Sequence, residues 1–197
     1  MNAGEAGELV ASRTLAAFLS LVFSRPVAEV VDLGPAIGSN ITFLSQRIGC
    51  KIHVKDLHAE LERHAREDAL DRFPDFLHRH FAGYKSESID AVLCWDLFDY
   101  LAPPAATALA GTLIQALRPG GALLAFFGGG GARGRSYTRY VIHDERHLRH
   151  HTSAGGCERQ PGLQNRDILR LFQGLDVFDS VLLKSGVREF LFRKRES

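Results

Sequence analysis

The 197-residue sequence predicts one α/β domain whose mostly parallel sheet closes in an antiparallel hairpin. Three observations predict it. Short apolar runs at 29–33, 51–54, 89–94 and 122–127 alternate with segments of helical length, which implies parallel pairing through right-handed crossovers. The run at 89–94 has the apolar density of a strand buried on both faces. Near the C-terminus, 177–183 and 187–192 are strand-like runs joined at Lys184-Ser185-Gly186, the pattern of a hairpin. The length accommodates one such domain and not two ordinary ones.

Residues 8–23 place Leu9, Phe18, Leu19, Val22 and Phe23 on one face of an expected amphipathic helix, stopped by Arg25-Pro26. The strand at 29–33 runs into the turn Gly34-Pro35-Ala36-Ile37-Gly38, and 39–48 follows as a helix. After the strand at 51–54, residues 58–73 read as a helix closed by Pro74, and 75–88 carry no clear pattern. A helix is expected at 103–117, with Pro near its start and Arg118-Pro119-Gly120-Gly121 at its end. Gly128 to Gly131 read as a hinge, and 137–152 as a hairpin. Asn165 is expected to cap a helix through Ile168, Leu169 and Phe172.

Lys plus Arg number 24 and Asp plus Glu 23, a net of +1, so a dedicated nucleic-acid partner is not expected. The charge is unevenly spread: residues 1–132 carry a net of −4 and residues 133–197 a net of +5. Cys50, Cys94 and Cys157 are too scattered for a disulfide framework or a CxxC zinc motif, which points to a reducing, cytoplasmic setting. The apolar stretch 9–23 has no basic region before it and Arg13 within it, and no unbroken apolar run reaches about 18 residues. Neither a signal peptide nor a membrane span is expected.

The strongest chemical signal is Val30-Val31-Asp32-Leu33-Gly34-Pro35-Ala36-Ile37-Gly38. An acid closes a strand, small residues follow at alternate positions, and a helix begins. Small residues let a backbone approach a ligand, and a helix N-terminus offers free N–H donors. A dinucleotide fingerprint would place Gly34, Ala36 and Ser39 at its three glycines, and only the first matches. The pattern D-x-G-x-G-x-G finds Asp32, Gly34 and Gly38 in place and Ala36 at the middle glycine. In this the sequence resembles the class I S-adenosylmethionine-dependent methyltransferases.

The resemblance covers roughly residues 9–194. It implies a three-layer Rossmann-like sheet of strand order 3-2-1-4-5-7-6 and S-adenosylmethionine as cofactor. The cofactor-binding candidates it supplies are Asp32, Gly34, Pro35, Ala36, Gly38, Asp56, Leu57, Cys94 and Trp95. Asp56 stands where the family's ribose-binding acid ends the second strand, and a carboxylate can accept from both hydroxyls. Its other reading is a helix N-cap. The segment from Asp90 to Leu101 is similar to the family's fourth-strand segment, which reaches the pocket near the reactive methyl. Asp96 is the candidate there for a catalytic base, its alternative being a helix cap. Residues 75–88 depart from the family in lacking the strand-plus-Asp that reaches the adenine ring.

Residues 128–164 form a Gly/Arg/His-rich insertion expected to cover the acceptor pocket. Between Arg133 and Arg159 lie six arginines against Asp144, Glu145 and Glu158, with Tyr137 and Tyr140 interleaved. Tyr137, Arg139 and Tyr140 are therefore substrate-binding candidates, suited to a carboxylate or phosphate acceptor, and Tyr100 of the fourth-strand segment joins them, with the same helix-cap alternative as Asp96. The competing picture is a solvated hairpin whose arginines face water. His143, His147, His150, His151 and Cys157 match no structural zinc spacing, so no metal is expected. The function these readings imply is methyl transfer to a small, anionic acceptor by in-line displacement. The alternatives are a methyltransferase acting on a protein or nucleic acid, and an inactive binding or assembly protein of the same fold.

Overall fold

The computed structural model describes residues 7–46, 50–128 and 135–196, so most of the expected glycine hinge lies outside the described residues. The first half of the chain runs β1 (Glu8–Ala11), α1 (Arg13–Phe23), β2 (Glu29–Asp32), α2 (Gly38–Ser45), β3 (Lys51–Val54), α3 (Leu57–Arg66) and α4 (Phe73–Phe81). Then come β4 (Ile89–Trp95), α5 (Pro103–Ala116) and β5 (Leu117–Phe127). The last part comprises β6 (Ser136–Ile142), β7 (His147–Ala154), α6 (Asn165–Leu171), β8 (Leu175–Leu182) and β9 (Arg188–Lys194).

The main sheet has six strands in the order β3-β2-β4-β5-β9-β8. The pairs β2/β3, β2/β4 and β4/β5 are parallel, while β5/β9 and β8/β9 are antiparallel. This is the expected α/β class with its closing hairpin, and α3, α4, α5 and α6 cover one face of the sheet while α1 and α2 cover the other. In the expected numbering the order is 2-1-4-5-7-6: the strand anticipated at position 3 is missing among the described residues. The segment 75–88 is spent on α4 and a turn instead. Its Phe73, Leu77 and Phe81 bury an i, i+4, i+8 stripe against the core, a helical period that cannot serve as a strand.

Pro74 opens α4 rather than closing α3, because a proline in the first helical turn removes an N–H that has no intrahelical partner anyway. The chain breaks between the two helices at Asp68, whose φ is +52°. The segment expected as one opening helix is divided. Glu8–Ala11 pairs antiparallel with β7, and only after Ser12 does α1 begin, with the Ser12 hydroxyl accepting from the Leu15 N–H at 3.1 Å. Arg118-Pro119-Gly120-Gly121 lies inside β5 as an irregularity: Ile89 pairs with Leu117 and Ala91 with Ala122. Gly120 there has φ +72°, which glycine adopts without strain. Asn165 is the first residue of α6 and does not cap it; its Oδ1 accepts from Arg188 at 2.7 Å.

The expected hairpin at 137–152 is present as β6 and β7, and with β1 it makes a separate three-stranded antiparallel sheet, β1-β7-β6. Tyr140, Ile142 and Leu148 bury its inner side in the same cluster as Leu15, Phe18 and Leu44 of α1 and α2. Two bonds from Asn40 hold it there: Asn40 Nδ2 donates to the Tyr140 carbonyl and Oδ1 accepts from the Ile142 N–H, both at 2.8 Å. The small sheet thus sits over the turn between β2 and α2.

Candidate active site

The carboxyl ends of β2, β3 and β4 place two adjacent groups of side chains. The first is built on Asp32, the last residue of β2, which is 2% exposed. Its Oδ1 accepts from the Gly34 N–H at 2.9 Å and from the Trp95 indole N–H at 2.7 Å. Burial raises the Asp32 carboxyl to about 6, against the two hydrogen bonds that favour its charged form. Trp95 ends β4 with φ +50° and lays its ring over the turn. A Cβ built on Gly34 would collide with Trp95 Cδ1 and come within 2.7 Å of Nε1. The indole is stacked on Tyr140 with centroids 5.4 Å apart and planes at 4°. Gly38, at the far end of the turn, has nothing within 4 Å of a built Cβ. Pro35 is half-buried and Ala36 is exposed.

Asp56 stands between β3 and α3 in the left-handed region, φ +30°, and its Oδ1 accepts from the Ala59 N–H at 3.1 Å. Both sequence readings of Asp56 are therefore compatible, since the cap uses one carboxylate oxygen and leaves the other. Leu57 and Cys94 have no exposed surface and stand in the core cluster on the α3–α6 side, where burial pushes the Cys94 thiol up.

The second group centres on Asp96, 1% exposed, just beyond β4. Arg159 reaches it from the segment after β7, with Nη2 2.6 Å from Asp96 Oδ2 and Nη1 2.6 Å from Asp99 Oδ2. The guanidinium also lies over the Tyr100 ring, 4.9 Å from its centroid. The Tyr100 hydroxyl donates to the Ser136 carbonyl at 2.8 Å, which ties this turn to the start of β6. Burial raises Asp96 to about 7 even beside Arg159. Asp96 Oδ1 is buried without a hydrogen-bond partner, and so is His58 Nε2, 3.7 Å away. Burial holds His58 down to about 4, so this ring is neutral at pH 7. Tyr100 and Tyr137 flank it, with centroids at 5.1 and 6.2 Å.

The structure brings Asp32, Gly34, Trp95 and Tyr140 together, and separately Asp96, Tyr100 and Tyr137. Arg139 is exposed on β6 and joins neither group. Three residues of the second group, His58, Asp99 and Arg159, were not singled out from the sequence. Asp99 lies within the fourth-strand segment, and His58 follows two positions after Asp56. Arg159, 63 residues from Asp96, has no local signal of its role.

A cavity of about 450 Å³ adjoins Tyr100, with Arg66, Arg135 and Glu158 on its polar wall. A second, apolar one of about 620 Å³ lies between α5 and α6.

S-adenosylmethionine carries a ribose diol and an amino-acid part with an ammonium, and Asp56 together with the turn at Asp32 offers acceptors suited to both. Asp56 keeps an oxygen beyond its cap, Gly38 opens on free space, and Asp32 is a buried anion beside the turn. No curated protein matched the sequence. Among solved structures, the chain is similar to a [4+2]-cyclase, SpnF, with TM-score 0.57 and 12% identity over 94% of this chain and 81% of that one. It is also similar to a putative type 11 methyltransferase from Sulfolobus solfataricus, with TM-score 0.53 and 12% identity over 95% of both chains. A third neighbour is the 1,6-didemethyltoxoflavin-N1-methyltransferase of Burkholderia thailandensis, bound to 1,6-didemethyltoxoflavin and S-adenosylhomocysteine. Its TM-score is 0.51, with 18% identity over 93% of this chain and 78% of that one. These likenesses are of fold. A family profile described as a methyltransferase domain matches residues 7–126, more than half of the sequence and the β2–β5 framework up to the last residue but one of β5. The chain belongs to that family of methyltransferase domains.

Proposed function

We propose that this methyltransferase acts on a small acceptor bearing an acidic group. The observation that carries the reading is the polar cavity beside Tyr100, whose lining includes Arg66 and Arg135 and a single acid, Glu158. Two guanidiniums on one small wall suit a carboxylate or phosphate. The wider basic excess of the C-terminal part adds little, because much of it is paired within the chain. Arg159 is paired with Asp96 and Asp99, Lys194 with Glu87, and Arg195 with Asp176.

The cofactor supplies an electrophilic methyl on a sulfonium, and the chain's residues position the partners and exclude water. Asp56 binds the ribose hydroxyls through the oxygen that its cap leaves. Asp32 and the turn Gly34–Gly38 hold the amino-acid part, with Pro35 and Ala36 as the turn's body. Leu57 and Cys94 back the cofactor from the core, and Trp95 borders it. Residues 135–163 of the insertion close the acceptor side, with Tyr137 and Tyr140 facing inward. Asp96 Oδ1, without a partner and with its carboxyl near 7, receives the proton that an acceptor hydroxyl or amine gives up.

Calorimetry with S-adenosylmethionine and S-adenosylhomocysteine tests the cofactor half. Asp56→Asn preserves a capping oxygen and loses one acceptor, so binding weakens about tenfold with little change in melting temperature. Unchanged affinity would remove Asp56 from the site. The acceptor half is tested by following S-adenosylhomocysteine release with a panel of small carboxylates and phosphates. Arg66→Ala and Arg135→Ala raise KM for the acids that react, and turnover confined to uncharged acceptors overturns the anionic reading.

A further inference from the structure

Trp95 stands in an unusual position. It is a bulky residue with positive φ, 3% exposed, and its indole covers the one face of the turn where Gly34 admits a close approach. Its N–H supplies Asp32 Oδ1 with the second of two donors, the first being the Gly34 N–H. The ring is supported by Tyr140 in a parallel stack and by Phe126 at 5.8 Å and 67°. Tyr140 is held in place by the bond from Asn40 to its carbonyl. The turn is thus closed over Gly34 and open at Gly38.

We propose that Trp95 is a specificity-determining gate on the glycine turn, its indole N–H holding the place on Asp32 that the ammonium of the ligand's amino-acid part takes. The inference rests on the cofactor reading above. Withdrawal of the indole leaves a buried carboxylate one donor short, and only a ligand that brings a donor to that oxygen restores the count. A nucleoside that lacks the amino-acid part binds at Asp56 and leaves the gate shut. The intrinsic affinity for the full ligand is reduced by the fraction of molecules with the gate closed.

Trp95 is the single tryptophan of the sequence, so its emission reports the gate directly. The experiment uses the full chain, with equilibrium dialysis for affinity and tryptophan emission with acrylamide quenching for the indole. S-adenosylhomocysteine is the probe with the amino-acid part, and 5′-methylthioadenosine is the probe without it. S-adenosylhomocysteine is expected to shift the emission to the red and to raise quenching, while methylthioadenosine binds without either change. Trp95→Phe keeps a stacking ring and removes the N–H; it is expected to bind S-adenosylhomocysteine about tenfold tighter and methylthioadenosine as the wild type does. The gate is overturned if S-adenosylhomocysteine binds with emission and quenching unmoved, if Trp95→Phe weakens its binding, if methylthioadenosine shifts the emission as well, or if methylthioadenosine alone binds. Failure of both probes to bind the wild type overturns the cofactor reading, and the gate with it. The wild-type spectra decide the question without any variant.

Discussion

The guanidinium of Arg159 lies 2.6 Å from the carboxylate of Asp96, so a residue of the segment after β7 is the counter-ion of the acid at the end of β4. The same guanidinium is 2.6 Å from Asp99, which also accepts the Gly128 N–H at 2.7 Å. Two buried acids share one cation, and the covering segment is fastened to the sheet through it. The neighbouring bond from the Gln160 N–H to the Asp99 carbonyl, at 2.7 Å, makes the same connection through the backbone.

Removing that cation strands both acids. Arg159→Leu is expected to lose about 3 kcal/mol of stability at pH 8, where the carboxylates are left buried without a counter-ion. The loss shrinks toward pH 5.5, because Asp96, already raised to about 7 beside Arg159, takes up its proton there at small cost. Urea denaturation at the two pH values measures the difference. An equal loss at both would mean that the pair contributes packing and not charge compensation.

Gly34 is a glycine because of Trp95. Gly34→Ala brings a methyl into the indole, and the expected cost is about 2 kcal/mol, typical of overpacking in a filled site. The same change in a Trp95→Ala background costs much less, because the colliding ring is gone. A double-mutant cycle on thermal or urea unfolding reads the coupling directly, and additive costs would show that the two residues do not share the space.

This relationship also shows what could be read from the sequence and what could not. The turn Asp32–Gly38, Asp56 and the hairpin β8–β9 were legible because each is a local pattern: strand, then small residues or a turn, then the next element. Pro103 opens α5 as a proline in a first turn should. The closure of the turn by Trp95 needed a residue 63 positions away, and Tyr140 comes from still further along the chain. Arg159, His58 and Asp99 were overlooked for the same reason, their roles being set by tertiary contact. The division of 8–23 at Ser12 is a further case. Leu9 and Val10 suit either a helix face or a short strand, and the strand wins through pairing with Arg149 and Leu148 in β7. Ser12 and Thr14 are also drawn to the buried Glu189, 177 and 175 positions away, which accepts from both hydroxyls.

Gly111 offers a simpler test of the fold. It lies inside α5, nothing stands within 4 Å of a Cβ built on it, and it borders the apolar cavity between α5 and α6. Gly111→Ala is expected to stabilise the protein by about 0.5–1 kcal/mol, through helix propensity alone. A rise in melting temperature checks it, and a fall would place an atom where the structure has space.

Asp32 gives the clearest dependence on pH. Its carboxyl is raised from an ordinary 3.8 to about 6 in the folded protein, first by burial and in smaller part by the charge of Asp56. The folded state therefore holds a proton that the unfolded chain has released. That contribution to stability is present in full below about pH 4 and is lost as pH rises through about 6, amounting to something on the order of 3 kcal/mol. Asp32→Asn retains a side-chain oxygen to accept from the Gly34 N–H and the Trp95 indole, and it has no proton to lose. The variant is expected to match the wild type near pH 4 and to exceed it in unfolding free energy at pH 7.5. Because Asp96 and Glu189, also raised by burial, titrate in both proteins, the difference between the two curves isolates Asp32. Parallel curves from pH 4 to 7.5 would show that the carboxylate is as well solvated in the fold as in the unfolded chain.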